Sequence, residues 1–205
     1  MALLIVKEEQ TYAEQMMRMV RERQQKNEEN LFNHVNNIDD GYVIIQYEKL
    51  KLSKRELVDG KITMTFPEEF QDMDDEAIKV KYPEEDRPRY IYCNQETTVS
   101  FNFNIEEEQV KNEEIEEVKD ILKRQIMRLY SISKAEMDEL IQTEQGKTVG
   151  VFAIEIPVLD GTLFQISYFM STKGGLLIGG FNCDADEKKE WSPVVKQLLT
   201  TIEEQ

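Results

Sequence analysis

A single histidine, His34, is all that this chain of 205 residues offers. Every Ser-His-Asp or Cys-His scheme of nucleophilic catalysis would have to pass through it. Its neighbours Asn33, Asn36 and Asn37 mark a polar setting, which suits a solvent-facing ring better than a general base. Cysteine is nearly as scarce. Cys93 and Cys183 lie far apart without metal-type spacing, and one histidine with two distant thiols cannot build an ordinary structural zinc site. Five prolines and nine glycines are too few for a loop-rich or disordered chain. No apolar run approaches the roughly 20 residues of a membrane-spanning helix. The opening "MALLIVKEEQ" lacks the basic leader, long apolar stretch and small-residue cleavage site of a secretory signal. Two cysteines without an export signal are expected as reduced thiols, in the cytoplasm.

Positive charge is also short: 25 Lys and Arg stand against 41 Asp and Glu, a net charge of −16. Nucleic acid and anionic membranes attract cations, so neither is an expected partner. The acids concentrate in "IEEEQVKNEEIEEVKD" (105 to 120), eight of them against two lysines. Nine Phe and eight Tyr within 40% hydrophobic residues suffice for a substantial core.

Periodicity divides the chain in two. Residues 8 to about 35 read as a helix with Tyr12, Met16 and Met19 along one face, and "NNIDDG" (36 to 41) stops it. The expected organisation is a helical N-terminal extension, 1–41, followed by one α+β domain, 42–205. In that domain "YVIIQYEKLKL" alternates as one strand through Val43, Ile45 and Tyr47, and "KITMTF" as a second that Pro67 ends. One helical turn is expected around "DDEAIKV". "TTVSFNFNI" sets Val99, Phe101, Phe103 and Ile105 against Thr98, Ser100, Asn102 and Asn104, the signature of an antiparallel sheet with one apolar face.

The acidic run then opens a regular helix, with Ile115, Val118, Leu122, Ile126 and Leu129 as its stripe. Its acids lie in the N-terminal half, matched to the helix dipole, so the charge run reads chiefly as a solvated face. "SKAE" (133 to 136) fits a capping box for a short helix to about Gln145. "TVGVFAIEIPV", "TLFQISYFMS" and "LLIGGFNC" read as closing strands, the first pair joined at Asp160-Gly161. Trp191, Val194, Val195, Leu198, Leu199 and Ile202 form the stripe of a last helix, with Ser192 and Pro193 suited to its start. The sum is an antiparallel sheet of six or seven strands with helices packed on it.

The glycine-rich "KGGLLIGGFNCDADE" (173 to 187) is the stretch that most invites a ligand. Its spacing is G-G-x-x-x-G-G, which matches neither the dinucleotide fingerprint nor the phosphate loop that needs Gly-Lys-Ser/Thr. Gly174-Gly175 suits a hairpin that requires positive φ, and Gly179-Gly180 a bulge or the close approach of a helix. A calcium-loop frame begun at Asp184 puts Lys189 where glycine belongs and Val195 where the bidentate Glu belongs; begun at Asp72, it puts Ala77 and Pro83 there. No metal, nucleotide or other cofactor is expected. Glu155, inside the apolar "FAIEIPV", is the one acid in a setting that would raise its pKa, yet a strand-edge Glu guarding against aggregation explains it as well.

With this order of elements the chain resembles the PsbP-like superfamily over about residues 50–203. "GKITMTFPEEFQDM" is similar to the family's opening strand, "RPRYIYCNQETTVSFNFNI" to its next hairpin, and the final strands with "WSPVVKQLLTTI" to its closing meander and helix. That group includes the extrinsic photosystem II protein, a small Ran-binding import factor and bacterial DcrB-type proteins. The resemblance implies a docking module, one branch of the group serving type VI secretion as chaperones for effector helices. No functional residue carries over, for no functional motif of the family is present. Many bacterial relatives are exported lipoproteins, whereas this chain shows no signal, and residues 1–48 have no counterpart in the group.

The expected function is a non-catalytic cytoplasmic protein-binding module, an adaptor or chaperone, with another protein as partner and an open oligomeric state. Leu3, Leu4, Ile5, Tyr12, Met16 and Met19 are its candidate contact residues, because methionines repack around varied partners. The same stripe suits packing on the protein's own sheet equally well. The rival is a small-ligand binder or enzyme with a pocket between sheet and helix, holding Glu155 or Tyr168.

Overall fold

The computed structural model describes residues 34–205 apart from Asp86, Ser133 and Asp160. The chain is α+β. A hairpin of β1 (Tyr42–Ile45) and β2 (Glu48–Leu57) leads to β3 (Ile62–Pro67), β4 (Gln71–Asp72), α1 (Asp75–Lys81), β5 (Tyr90–Cys93) and β6 (Ser100–Glu106). Then come α2 (Ile115–Leu129), β7 (Met137–Gln142), β8 (Thr148–Val158), β9 (Gly161–Thr172), β10 (Gly175–Asp184), α3 (Lys188–Thr200) and β11 (Glu203–Glu204). They form two antiparallel sheets: β1-β2-β3-β11, and β4-β5-β6-β10-β9-β8-β7.

The main core fills the space between the two sheets and α3. Phe101 and Phe103 from β6, Ile166 and Tyr168 from β9 and Phe181 from β10 meet Val43, Ile62, Met64 and Phe66 from the smaller sheet. Trp191, Val194, Val195, Leu198, Leu199 and Ile202 close it, so the whole predicted stripe of the last helix is buried. The opposite face of the large sheet carries two smaller cores. Under α2, Ile115 packs with Phe152, Ile154 and Phe169. Under α1, Met73, Ile91 and Cys93 pack together. Both cysteines are buried free thiols, and burial pushes the pKa of each upward.

Four local expectations need correction. "YVIIQYEKLKL" is a hairpin and not one strand: Gln46 and Tyr47 make a two-residue turn, both at positive φ (48° and 66°). Its apolar residues change parity, from Val43 and Ile45 to Leu50 and Leu52, and one straight strand cannot put both pairs on one face. Residues 137–142 are strand β7 and not a helix. Met137, Leu140 and Ile141 have helical spacing, but in β7 Met137, Glu139 and Ile141 share a face and Leu140 is exposed. The neighbouring strand decides, because without β7 the eleven-residue β8 would be an open edge.

The last helix starts at Lys188, before Ser192, on a 3₁₀ turn whose cap is Asp184 accepting from the Asp186 N–H; Pro193 lies inside the helix. Among the described residues, the neighbours of Gly179-Gly180 are the Tyr168 ring and the Asn102 amide, and no helix lies there. At the β9–β10 hairpin only Gly175 has positive φ (128°), and a Cβ there would meet the Glu106 carbonyl oxygen at 1.8 Å. Two smaller differences remain. Leu129, at the end of the α2 stripe, is 75% exposed, and Val158 pairs with Gly161, which shifts that hairpin turn by one residue.

Candidate functional site: an acid-rimmed cleft

Strand β3 stops at Pro67 because proline cannot extend a ladder, and the chain crosses from the small sheet to the large one through Glu68–Phe70. That crossing leaves an open cleft of about 1070 Å³ where the β1–β2 hairpin, the β4–α1 segment, the β5–β6 loop and the start of α3 converge. Its base is apolar: Ile45, Leu50 and Val99, with Phe70 and Trp191 packed beneath at 6.1 Å between ring centroids. Its walls carry Glu48, Glu69, Asp72, Asp74, Glu96 and Glu187, and among the described residues no lysine or arginine lines it.

Local chemistry fixes each wall. Asp74 caps α1, its carboxylate accepting from the Glu76 and Ala77 N–H groups at 2.9 and 2.8 Å. The side chain of Asn94 accepts from the Val99 N–H and donates to Thr98 and Glu96, which ties the β5–β6 loop. Glu187 accepts from Trp191 Nε1 at 3.0 Å. Burial raises the Glu187 pKa, the indole N–H pulls it down, and repulsion from Asp184 and Glu190 adds to the rise, which prevails. The tip of the β1–β2 hairpin is pinned by the Gln46 N–H donating to Glu190 at 2.7 Å.

The residues singled out from sequence fall elsewhere. Leu3, Leu4, Ile5, Tyr12, Met16 and Met19 lie outside the described residues. Glu155 is half-buried in an ion pair with Lys188, which also reaches Glu136 at 3.3 Å. Tyr168 is fully buried in the core, its hydroxyl donating to the Asn102 carbonyl at 3.2 Å, and desolvation holds its pKa well above the usual value. The two share no pocket. His34 is half-buried and stacks on Tyr42 at 5.6 Å, in place of the solvent-facing position expected for it. Among the described residues, no three His, Cys, Asp or Glu side chains gather closely enough to hold a metal ion, and no helix is long and apolar enough to cross a membrane.

Sequence reasoning missed the cleft. Its acids come from four separated segments, and in a chain with 41 acids none of them is conspicuous alone. The only local signal is the density of "PEEFQDMDDE" (67 to 76), which supplies Glu69, Asp72 and Asp74.

Neither the known family descriptions nor the curated proteins contain a match to this sequence. Solved structures do contain its fold. The solution structure of cyanobacterial PsbP (CyanoP) from Synechocystis is 9% identical and covers 75% of this chain and 92% of its own, with a TM-score of 0.54. The Ran-binding protein Mog1p of Saccharomyces cerevisiae is 15% identical over 75% of this chain and 95% of its own, with a TM-score of 0.49. The chain thus has the PsbP-like fold, an antiparallel sheet closed by a C-terminal helix.

Proposed function

We propose that this protein is a non-catalytic, cytoplasmic protein-binding module, an adaptor or chaperone, and that its cleft takes a segment of a partner protein carrying both basic and apolar side chains. One observation carries the reading: six carboxylates surround one apolar-based cleft, and among the described residues no lysine or arginine lines it. Convergent negative charge in a concave site raises the local concentration of cations and steers their approach. The net charge of −16 argues in the same direction, and against nucleic acid or anionic membrane as the partner. Buried free thiols suit a reducing compartment. The rival, a ligand pocket holding Glu155 or Tyr168, is less favoured: Tyr168 is sealed inside the core, and Glu155 lines a smaller cleft of about 630 Å³ where it is paired with Lys188.

Affinity purification from the native host, followed by mass spectrometry, tests the reading when run beside the variant Glu69→Lys/Asp72→Lys/Glu96→Lys. These side chains are solvated, and only the exposed Asn94–Glu96 contact is lost, so the variant should fold with a melting temperature close to that of the wild type. The expected result is a partner enriched on the wild type and absent from the variant. Equal enrichment on both proteins would place the interaction elsewhere.

A further inference from the structure

The cleft also fits a segment of the chain itself. Residues 16–26, "MMRMVRERQQK", set four cations (Arg18, Arg21, Arg23 and Lys26) against one acid, Glu22, and interleave them with Met16, Met17, Met19 and Val20. This is the composition the cleft asks for: cations for the acid walls and apolar side chains, most of them adaptable methionines, for the base. Two other basic runs are built into the fold. Lys49 to Arg55 lies in β2, where Lys54 pairs with Glu203 at 2.5 Å and Lys49 lies over the Tyr42 ring at 3.5 Å. Lys119 to Arg128 lies in α2, where Lys119 and Lys123 pair with Asp138. Neither is free to enter the cleft.

The chain also arrives at the right place. His34 is anchored by its stack on Tyr42, the first residue of β1, and β1 runs directly to Ile45 and Gln46 on the cleft lining. Tyr42 to Ile45 covers about 10 Å at 3.3 Å per strand residue. Residues 27–33 can bridge up to about 24 Å when extended. The linker is long enough, and its short reach gives the segment a high effective concentration at the cleft.

We infer that residues 16–26 occupy the acid-rimmed cleft of the free protein and must leave before a partner segment enters. The inference rests on the cleft being a binding surface, as proposed above. It makes the N-terminal segment a built-in competitor, so that a partner binds only by matching the same pattern of charge and apolar side chains more strongly.

Amide hydrogen exchange on the full chain tests this, comparing wild type with Arg18→Glu/Arg21→Glu/Arg23→Glu. The variant should exchange amides in residues 69–74 and 94–99 about tenfold faster, with β8 and β9 unchanged. Adding Glu69→Lys/Asp72→Lys/Glu96→Lys to the same chain should restore the protection by exchanging the charges. Equal exchange in wild type and the Arg-to-Glu variant overturns the inference. So does protection that disappears on dilution, which would assign the cleft to a second copy. If the cleft is uncovered in the variant but neither protein captures a partner, self-coverage stands and only the proposed partner role fails.

Discussion

The ring of Tyr168 lies across Gly179, its cross-strand partner in β10, so closely that a Cβ at position 179 would sit 1.9 Å from the ring. The glycine is a slot that lets a bulky aromatic lie flat in the middle of the sheet, where Tyr168 packs edge-on against Phe103 at 5.8 Å. Gly179→Ala should destabilise the protein by about 3 kcal/mol, because overpacking a tight core forces side chains off their rotamers. A urea midpoint measures it. The same change made in Tyr168→Leu should cost much less, since the ring that blocks the methyl is gone; strictly additive losses would show that the contact is not the cause.

The C-terminal helix should act as core and not as interface. Leu198 is fully buried between the two sheets. Leu198→Ala should lower stability by about 2–5 kcal/mol, through lost burial and the cavity left behind. Chemical denaturation checks this, and a neutral Leu198→Ala would remove the anchor of the fold.

Lys119 is buried on the inner face of α2 and held by Asp138 and Asp120, both of which Lys123 shares. Burial alone would raise the Asp138 pKa, but hydrogen bonds from Lys119 and Lys123 outweigh it and hold the carboxyl below the usual range. A depressed carboxylate adds stability above its unfolded pKa of about 3.9, and that stability is lost as pH falls through the lower folded value. Asp138→Asn should therefore cost about 1–2 kcal/mol at neutral pH, a figure reduced for partial exposure of the pair. The difference should fade in acid. A loss of equal size at pH 3 and pH 7 would show that charge is not its source.

Glu187 has the opposite sign. Its raised pKa means that the ionised form is disfavoured in the fold, a cost absent below the unfolded pKa and fully present above the folded one. Glu187→Gln keeps an acceptor for Trp191 Nε1 and should raise the melting temperature at neutral pH, with no gain in acid. Trp191 is the only tryptophan, so its fluorescence reports the titration directly. A midpoint at or below that of an ordinary glutamate would contradict the assignment.

Much of this fold can be read where one period rules a long segment. Val99, Phe101 and Phe103 alternate because one face of β6 meets the core, and the stripe of α3 from Trp191 to Ile202 follows from one buried helix face. Legibility fails where two readings share a pattern. Met137 and Ile141 fit both periods while Leu140 fits the helical one alone, and only the open edge of β8 selects a strand. The cleft was the least legible part, because its charge arises when Glu48, Glu69, Glu96 and Glu187, distant in sequence, fold to one place. No periodicity encodes such a convergence.

If the acid-rimmed cleft binds its partner through charge, raising the ionic strength must weaken that binding. The affinity of the captured partner should be measured from about 0.1 M to about 1 M salt, over which the screening length falls from about 10 Å to about 3 Å. Wild-type affinity should drop by at least about tenfold, chiefly through slower association, and Glu69→Lys/Asp72→Lys/Glu96→Lys should bind no partner at either salt concentration. An affinity indifferent to salt, and equal in the wild type and that variant, would contradict binding through charge.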